Sequence, residues 1–365
     1  MDLPKLSVVH DTYPLSQDFR NDWERLHTHA LGANVFSTLE WMEEGWRGFA
    51  PDSERIRPVR FQDSTGNTVA IALHKEVKSP RAWGNVTSWR TIDYNAQRIA
   101  PVLAADTAHI AGALVALHKD VGGHIDVFDF YKLDPLNQQM QVLTNALEEN
   151  GLHPQLKIFN EQPQLRLPES WDDYYQSHSR IFWKTPRRMR RRLSEDYGEV
   201  TYRRFRTDAD FRDYSMEDLL VQMDKVFASS WQFETLTQEG GIPAERLRAF
   251  YHGVARSALS RHTFDMNLLF AGDRVVAFDL NDVERDTVYM VCGMYDAAFK
   301  VYSPGRILFI DELEDGHRRG DRVYEFGGEF LGYKEEWTDV KIPSYHLRIR
   351  GKTLTARLRQ VMERV

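Results

Sequence analysis

Residues 263–338 read TFDMNLLFAGDRVVAFDLNDVERDTVYMVCGMYDAAFKVYSPGRILFIDELEDGHRRGDRVYEFGGEFLGYKEEWT. Three apolar runs come first, at 266–270, 275–280 and 287–294, separated by the Gly272-Asp273 turn and a charged tip at 282–286. Short β-rich runs joined by tight polar turns predict an antiparallel meander. The pattern then changes. Pro304-Gly305 precedes Ile307, Leu308, Ile310 and Leu313, apolar residues at helical spacing, and Gly316 and Gly320 close the run. A further strand is expected over 323–326, ending on Gly327-Gly328.

This order of strand, Ser303-Pro304-Gly305 corner, helix, strand and glycine pair has a physical consequence. Backbone N–H groups in the first turn of a helix lack intrahelical partners, and the helix dipole makes that end positive. Pro304 wastes no donor there, and Gly305 lets a ligand reach the main chain without meeting a Cβ. Such a corner can hold a phosphate or diphosphate, with Arg306 adding charge one residue on. The competing reading is an ordinary helix start, because Ser-Pro-Gly is common at turns.

Composition narrows the class. At 365 residues the chain can hold two domains, and 42% hydrophobic with 28% charged residues is the balance of a soluble globular protein. A formal charge of −7 argues against nucleic-acid binding through the whole surface, so DNA is not an expected partner. The single cysteine, Cys292, lies in an apolar run and reads as a small core residue, and no Cys/His spacing suggests a metal. The opening MDLPKLSVVH lacks the apolar region of a signal peptide, and no run approaches membrane-spanning length, so the cytoplasm is the expected compartment. Neither a nucleophile elbow nor a P-loop is present.

Upstream, Ser16 is a candidate cap for a helix over 16–30 with Phe19, Trp23 and Leu26 on one face. A second helix is expected to start near Ser37 or Thr38, followed by strands at 56–62 and 68–77. Residues 80–94, with Trp83, Trp89, Arg90 and Asp93, read as a loop that lines a ligand site or packs over a sheet edge. A helix over 107–120, a strand over 125–132 and a helix from Asp134-Pro135 to Asn150 complete this half, with 152–167 as a bridge. The second half opens at Trp171 and reaches five arginines among 187–192. On a helix started by Pro186 they surround most of the surface, with Arg188 and Arg191 on one face. Such a cluster clamps the phosphates of a donor, an anionic acceptor or a tRNA backbone, or is a solvated helix face. A strand at 200–205 and helices at 216–227 and 244–260 follow, with Trp231 in the loop between those helices.

Several of these residues stand in the order of one group. Gly272-Asp273-x-x-Val276-Ala277, Tyr295-Asp296, Tyr302-Ser303-Pro304-Gly305 and Glu325-Phe326-Gly327-Gly328-Glu329 with Tyr333-Lys334-x-x-Trp337 resemble GNAT-superfamily acyltransferases of the cellulose-biosynthesis (CelD/BcsL) type. The resemblance spans about residues 171–338. It implies a fold related to the tandem GNAT domains of Fem-type aminoacyl transferases and an acyl-CoA donor. It also implies direct attack in a ternary complex, with the donor lying along a splayed pair of strands, here 288–294 and 323–326. Main-chain N–H groups near 292–294 would then face the oxyanion. For the general base, Glu325 and Asp279 come first and Glu329 third, each competing with a plain salt-bridge role. Tyr333 or Tyr302 would protonate the leaving thiolate, and Lys334 holds an anionic acceptor or pairs with Glu325.

The expected fold class is therefore α+β, with tandem GNAT-like domains, each a mixed, mostly antiparallel sheet flanked by helices. The expected boundaries are 1–165 on the acceptor side, 166–340 for the donor, and a closing strand and helix over 341–365 packing on the first domain. The expected function is transfer of an acyl group from acetyl-CoA or another acyl-CoA to an amine or hydroxyl of a small polar or sugar-like acceptor. A Fem-type transferase using aminoacyl-tRNA and a non-catalytic scaffold are the alternatives. The donor set is Met294, Ser303, Pro304, Gly305, Arg306 and Ile307; Glu325, Asp279 and Tyr333 carry the chemistry. Trp231, Lys334, Arg188, Arg191 and Trp89 are expected to contact the acceptor.

Overall fold

The computed structural model describes residues 2–80, 85–94, 97–328 and 332–356. The chain divides into two compact units, Met1–Gln162 with Ile342–Val365, and Pro163–Lys341. The first unit runs β1 (Ser7–His10), α1 (Gln17–His27), α2 (Leu39–Phe49), β2 (Arg55–Gln62), β3 (Thr68–Ser79), β4 (Val86–Thr91), β5 (Leu103–Ala104), α3 (Thr107–Val121), β6 (Val127–Leu133) and α4 (Met140–Glu149). Strand β7 (Gln155–Arg166) passes from this unit into the next. The second unit continues with α5 (Trp171–Ser177), α6 (Arg180–Tyr197), β8 (Val200–Phe205), α7 (Met216–Ala228), α8 (Trp231–Glu234), α9 (Ala244–Ser260), β9 (Phe264–Ala271), β10 (Arg274–Glu284), β11 (Thr287–Tyr295), α10 (Pro304–Arg319) and β12 (Val323–Glu325). Strand β13 (Lys341–Arg350) then pairs antiparallel with β6 of the first unit's sheet.

Each unit follows one plan. In the first, β1 to β4 pair antiparallel in order and β4 pairs with β6 in parallel. In the second, β8 to β11 pair antiparallel in order and β11 pairs with β12 in parallel. Both plans interpose helices after the first strand and one helix before the parallel strand. This is the expected α+β tandem arrangement. Side-chain caps start the helices where the sequence places them: Ser16 accepts from the Phe19 N–H at 3.2 Å, and Phe19, Trp23 and Leu26 turn inward.

Four expectations need correction. Residues 86–91 form β4 rather than loop, because Val86, Thr87, Trp89 and Thr91 favour an extended chain and four of the six residues are buried beside β3. The helix expected from Asp134 begins only at Met140: Asp134 Oδ1 accepts from the Leu136 N–H at 2.8 Å, and Leu136, Asn137 and Gln138 take left-handed φ of 50°, 51° and 68°. Pro186 does not start α6. Ser179 caps Phe182 N–H at 3.3 Å a turn and a half earlier, and burial of Phe182 and Trp183 outweighs the donor lost at Pro186. Between α7 and α9, residues 231–239 wind into helical turns where a loop was expected, with Ser230 accepting from the Phe233 N–H at 3.1 Å. Trp83, Glu329 and most of the closing helix expected after 352 lie outside the described residues.

A buried ion cluster fixes α10 to the second sheet. Arg204 of β8 donates to both oxygens of Asp265 on β9 (2.6 and 3.0 Å), to Asp321 just past α10 (2.9 Å) and to the Glu312 carbonyl (3.3 Å). Arg206 reaches the same two aspartates, at 3.0 Å from Asp265 and 2.6 and 2.9 Å from Asp321. Gly316 makes room for this: a Cβ there would collide with the Tyr324 hydroxyl and stand 2.5 Å from Asp321 Oδ2 and 3.0 Å from Arg204. A Gly316→Ala chain is therefore expected to lose about 1–3 kcal/mol in urea unfolding, despite alanine's better helix propensity. A change within about 0.5 kcal/mol, the usual range for neutral positions, would show that the cluster does not need that space.

Candidate active site

The site begins where two strands part. Thr287, Val288 and Tyr289 of β11 pair with Val323, Tyr324 and Glu325 of β12, and there the pairing stops. The next N–H, of Phe326, turns to the Pro163 carbonyl at 3.2 Å, and Gly327 and Gly328 follow at φ 59° and 60°. Residues 292–295 of β11 keep their β10 partners on one side and, among the described residues, 291–295 have no strand partner on the other. A bulge sits in the same segment: Cys292 faces Leu280 and Met290 faces Asn281, which leaves Val291 extra.

This open edge leads directly to the α10 corner. Ser303 takes a left-handed conformation (φ 50°, ψ 54°), and its carbonyl accepts from the N–H groups of Arg306 (3.1 Å) and Ile307 (3.2 Å). Pro304 has no N–H, so within this first turn Gly305 carries the donor left over from those bonds. Among the described residues, and apart from its chain neighbours and the helix's own backbone, a Cβ built on Gly305 would meet just Tyr295 Cδ1 within 4 Å, at 3.6 Å. Ile307 and Met294 are buried, Met294 receiving the Ser230 hydroxyl at 3.0 Å from its sulfur. Arg306, expected at the corner, turns away instead: it pairs with Glu336 and lies 4.6 Å from the Phe182 ring and 5.3 Å from Trp337.

The candidate carboxylates sit in different settings. Asp279 lies opposite Gly293 on β11, and a Cβ on Gly293 would strike Asp279 Oδ1. Burial pushes Asp279 up to about 7, against a hydrogen bond with Glu312 that pulls it down and the charge of Asp265 that adds to the rise. Tyr333, 61% exposed overall, has its phenol pushed upward, first by burial of that end and then by the Asp279 carboxylate. Glu325, at the end of β12, is 3% exposed and accepts from Gln164 Nε2 at 2.6 Å. Lys334 is buried and donates to the Gly327 carbonyl at 2.5 Å, which fixes the turn of the glycine pair.

Other expected residues are spread more widely. Trp231 opens α8 and is 52% exposed, while its neighbour Gln232 donates to the Gly293 carbonyl at 3.3 Å beside the open edge. Arg188 and Arg191 are exposed on α6; Arg191 stands 3.5 Å from Glu195, a surface pair that contributes little. Arg190 instead pairs with Asp311 of α10. Tyr302 donates to Asp196 at 2.6 Å, and that bond carries its phenol up to about 12. Cys292 is buried, its thiol pushed up to about 12 by burial, as befits a core residue. Trp89 belongs to the first unit, where it is buried with Nε1 3.4 Å from Glu76. Glu312 was missed. It falls in the buried stripe Leu308, Glu312, Gly316 of α10, and a carboxylate at that spacing was the available signal.

With the geometry in hand, comparison with known proteins places the second unit. Residues 182–335 match the acetyltransferase (GNAT) domain family. No curated protein is similar in sequence at a significant level. Among solved structures, FemX superposes with a TM-score of 0.58 at 11% identity, covering 98% of this chain and 100% of its own. A conserved Bacteroides thetaiotaomicron protein of unknown function gives 0.56 at 12% identity, covering 92% and 99%. L-PGS from Bacillus licheniformis gives 0.51 at 13% identity, covering 100% and 98%. At such identities the likeness is one of fold. The parted strands and the α10 corner both lie within the GNAT segment, and among the described residues no cluster of side chains is suited to a metal and no helix is long and apolar enough to cross a membrane.

The Asp279 setting has a measurable consequence. Its carboxyl stays protonated in the folded chain over a range where an unfolded aspartate is ionised, so folding binds an extra proton. Its contribution to stability is therefore whole near pH ~4 and is lost as pH rises to about 7. Unfolding measured across that window should show Asp279→Asn gaining on the parent chain as pH rises. A difference that does not vary with pH would place the proton elsewhere.

Proposed function

We propose that the second unit is an acyltransferase that takes its acyl group from acyl-CoA and passes it to an amine or hydroxyl. The parting of β11 from β12 after Tyr289 and Glu325, next to the uncovered Gly305 corner, carries this reading. An extended amide-bearing arm can pair with the open edge at 291–295 as a missing strand would, taking the place of Gln232 at the Gly293 carbonyl. The diphosphate then falls at the α10 N-terminus, where Gly305 admits it to main-chain N–H. N–H groups near the bulge at Val291 point to where the thioester oxygen would lie.

In this reading Asp279 takes the proton of the attacking group, Tyr333 returns one to the thiolate, and Glu325 is the second carboxylate to test. Arg306, held by Glu336, shapes the corner rather than touching phosphate. A small polar or sugar-like acceptor of the cellulose-biosynthesis type is the narrower form of the proposal. A second reading rests on one observation: Arg187, Arg188, Arg191 and Arg192 all stay exposed on α6 of a chain with net charge −7. That face suits a tRNA backbone, as a Fem-type aminoacyl donor requires.

Titration calorimetry separates the two. Acetyl-CoA should bind the parent chain, and Gly305→Val should weaken it at least about tenfold with unchanged circular dichroism. Unaltered binding in the variant would move the diphosphate away from α10. Binding of tRNA that survives moderate salt, with none of acetyl-CoA, would favour the Fem-type donor.

A further inference from the structure

Glu312 is fully buried in the middle of α10. Its Oε1 accepts from Asn281 Nδ2 at 2.8 Å, while Oε2 meets no N–H or hydroxyl donor and the carboxyl faces that of Asp279, two residues from Asn281 on β10. Two ionised carboxylates are acceptors only and cannot bond to each other. A proton between them resolves the contact.

The charges around the pair lead to the same conclusion. Arg204 of β8 and Arg206 just past it are the cations on this cluster, and both are already bound by Asp265 of β9 and Asp321. Asp315, also on α10, lies 3.5 Å from Arg204 and adds negative charge. Tyr324 of β12 donates to Asp321 and to the Glu312 carbonyl, and Tyr202 of β8 donates to Asn267, so neither hydroxyl is directed at the pair. From the other side, Cys292 of β11 has a thiol held neutral and bonded to Tyr251 of α9. Among the described residues, two further full charges on Asp279 and Glu312 would find only cations already matched by Asp265 and Asp321. Asn281 links the two halves, donating to Asp265 at 2.9 Å as well as to Glu312.

The two carboxyls differ in access. Asp279 reaches the edge of the sheet through the gap left by Gly293, whereas Glu312 has no exposed surface. We propose that Asp279 and Glu312 hold one proton between them, and that Glu312 is the positioning residue that lets Asp279 accept a second proton from the attacking group. This rests on the acyltransferase reading for its chemical use, but the shared proton itself does not. In the transfer step the nucleophile's lone pair forms the bond to the acyl carbon, its proton passes to Asp279, and the C–S bond breaks with its electron pair leaving on sulfur. A proton from Tyr333 then neutralises the thiolate, and the extra proton on the pair returns to the Tyr333 phenolate, which leaves the pair with one proton.

Infrared spectroscopy of the full chain tests the proton without donor or acceptor. At about pH 6 the parent should show the carbonyl band of a buried carboxylic acid, weakening as pH rises past about 7. Glu312→Gln and Asp279→Asn each offer an amide N–H in place of the shared proton, so either variant should lack the band at about pH 6. Using both keeps the test alive if one variant fails to fold. No band in the parent, or a band unchanged in a folded variant, overturns the proposal. Because no CoA is present, either result stands apart from whether acetyl-CoA binds.

Discussion

Parallel pairing between β11 and β12 runs for three residues, and its early end makes the candidate site. Continued pairing would cover the edge at 291–295 and leave no place for a ligand main chain. Stopping it leaves donors and acceptors on an interior strand, a state that proteins seldom tolerate without a partner. Three devices maintain it here. Phe326 is drawn off to Pro163, the glycine pair turns in the left-handed region, and Lys334 ties down the Gly327 carbonyl.

The second requirement is that α10 present its N-terminus beside that edge, and this depends on electrostatics buried far from the corner. Arg204 and Arg206 bind β8, β9 and the segment after α10 into one unit through Asp265 and Asp321. Breaking such a pair strands a charge in the interior at a cost of about 3–5 kcal/mol, so the helix has little freedom to shift along the sheet. At its other end the corner is flanked by Tyr302, bonded to Asp196, and by Tyr295 at the tip of the open strand. The same cluster that holds the helix also sets the charge around Asp279. Support of the scaffold and tuning of a candidate base are thus one arrangement.

Much of this was legible in residues 263–338. The alternation of apolar runs, the Ser-Pro-Gly corner and the closing glycines specify meander, helix and strand through local rules. Arg188 and Arg191 were recognisable as a basic surface because a helix of known phase places them outward. What escaped is what local rules do not carry. The end of β12 at Glu325 depends on where Phe326 finds its acceptor, in a strand more than 160 residues upstream in the chain. Glu312 reads as one more charge in a helix until Asn281 and Asp279 are seen against it. Arg306 looks like a phosphate ligand by position, and only the rings of Phe182 and Trp337 show where its side chain goes. Residues 134–138 went wrong for a local reason: an aspartate bonding to its own backbone competed successfully with a helix start.

Hydrogen–deuterium exchange with and without desulfo-CoA tests the central claim most directly. The account predicts that the ligand slows exchange at residues 291–295 and at the first turn of α10, the two stretches whose backbone groups it would occupy. Protection confined to other segments, or none at saturating ligand, would contradict a donor held along the parted strands.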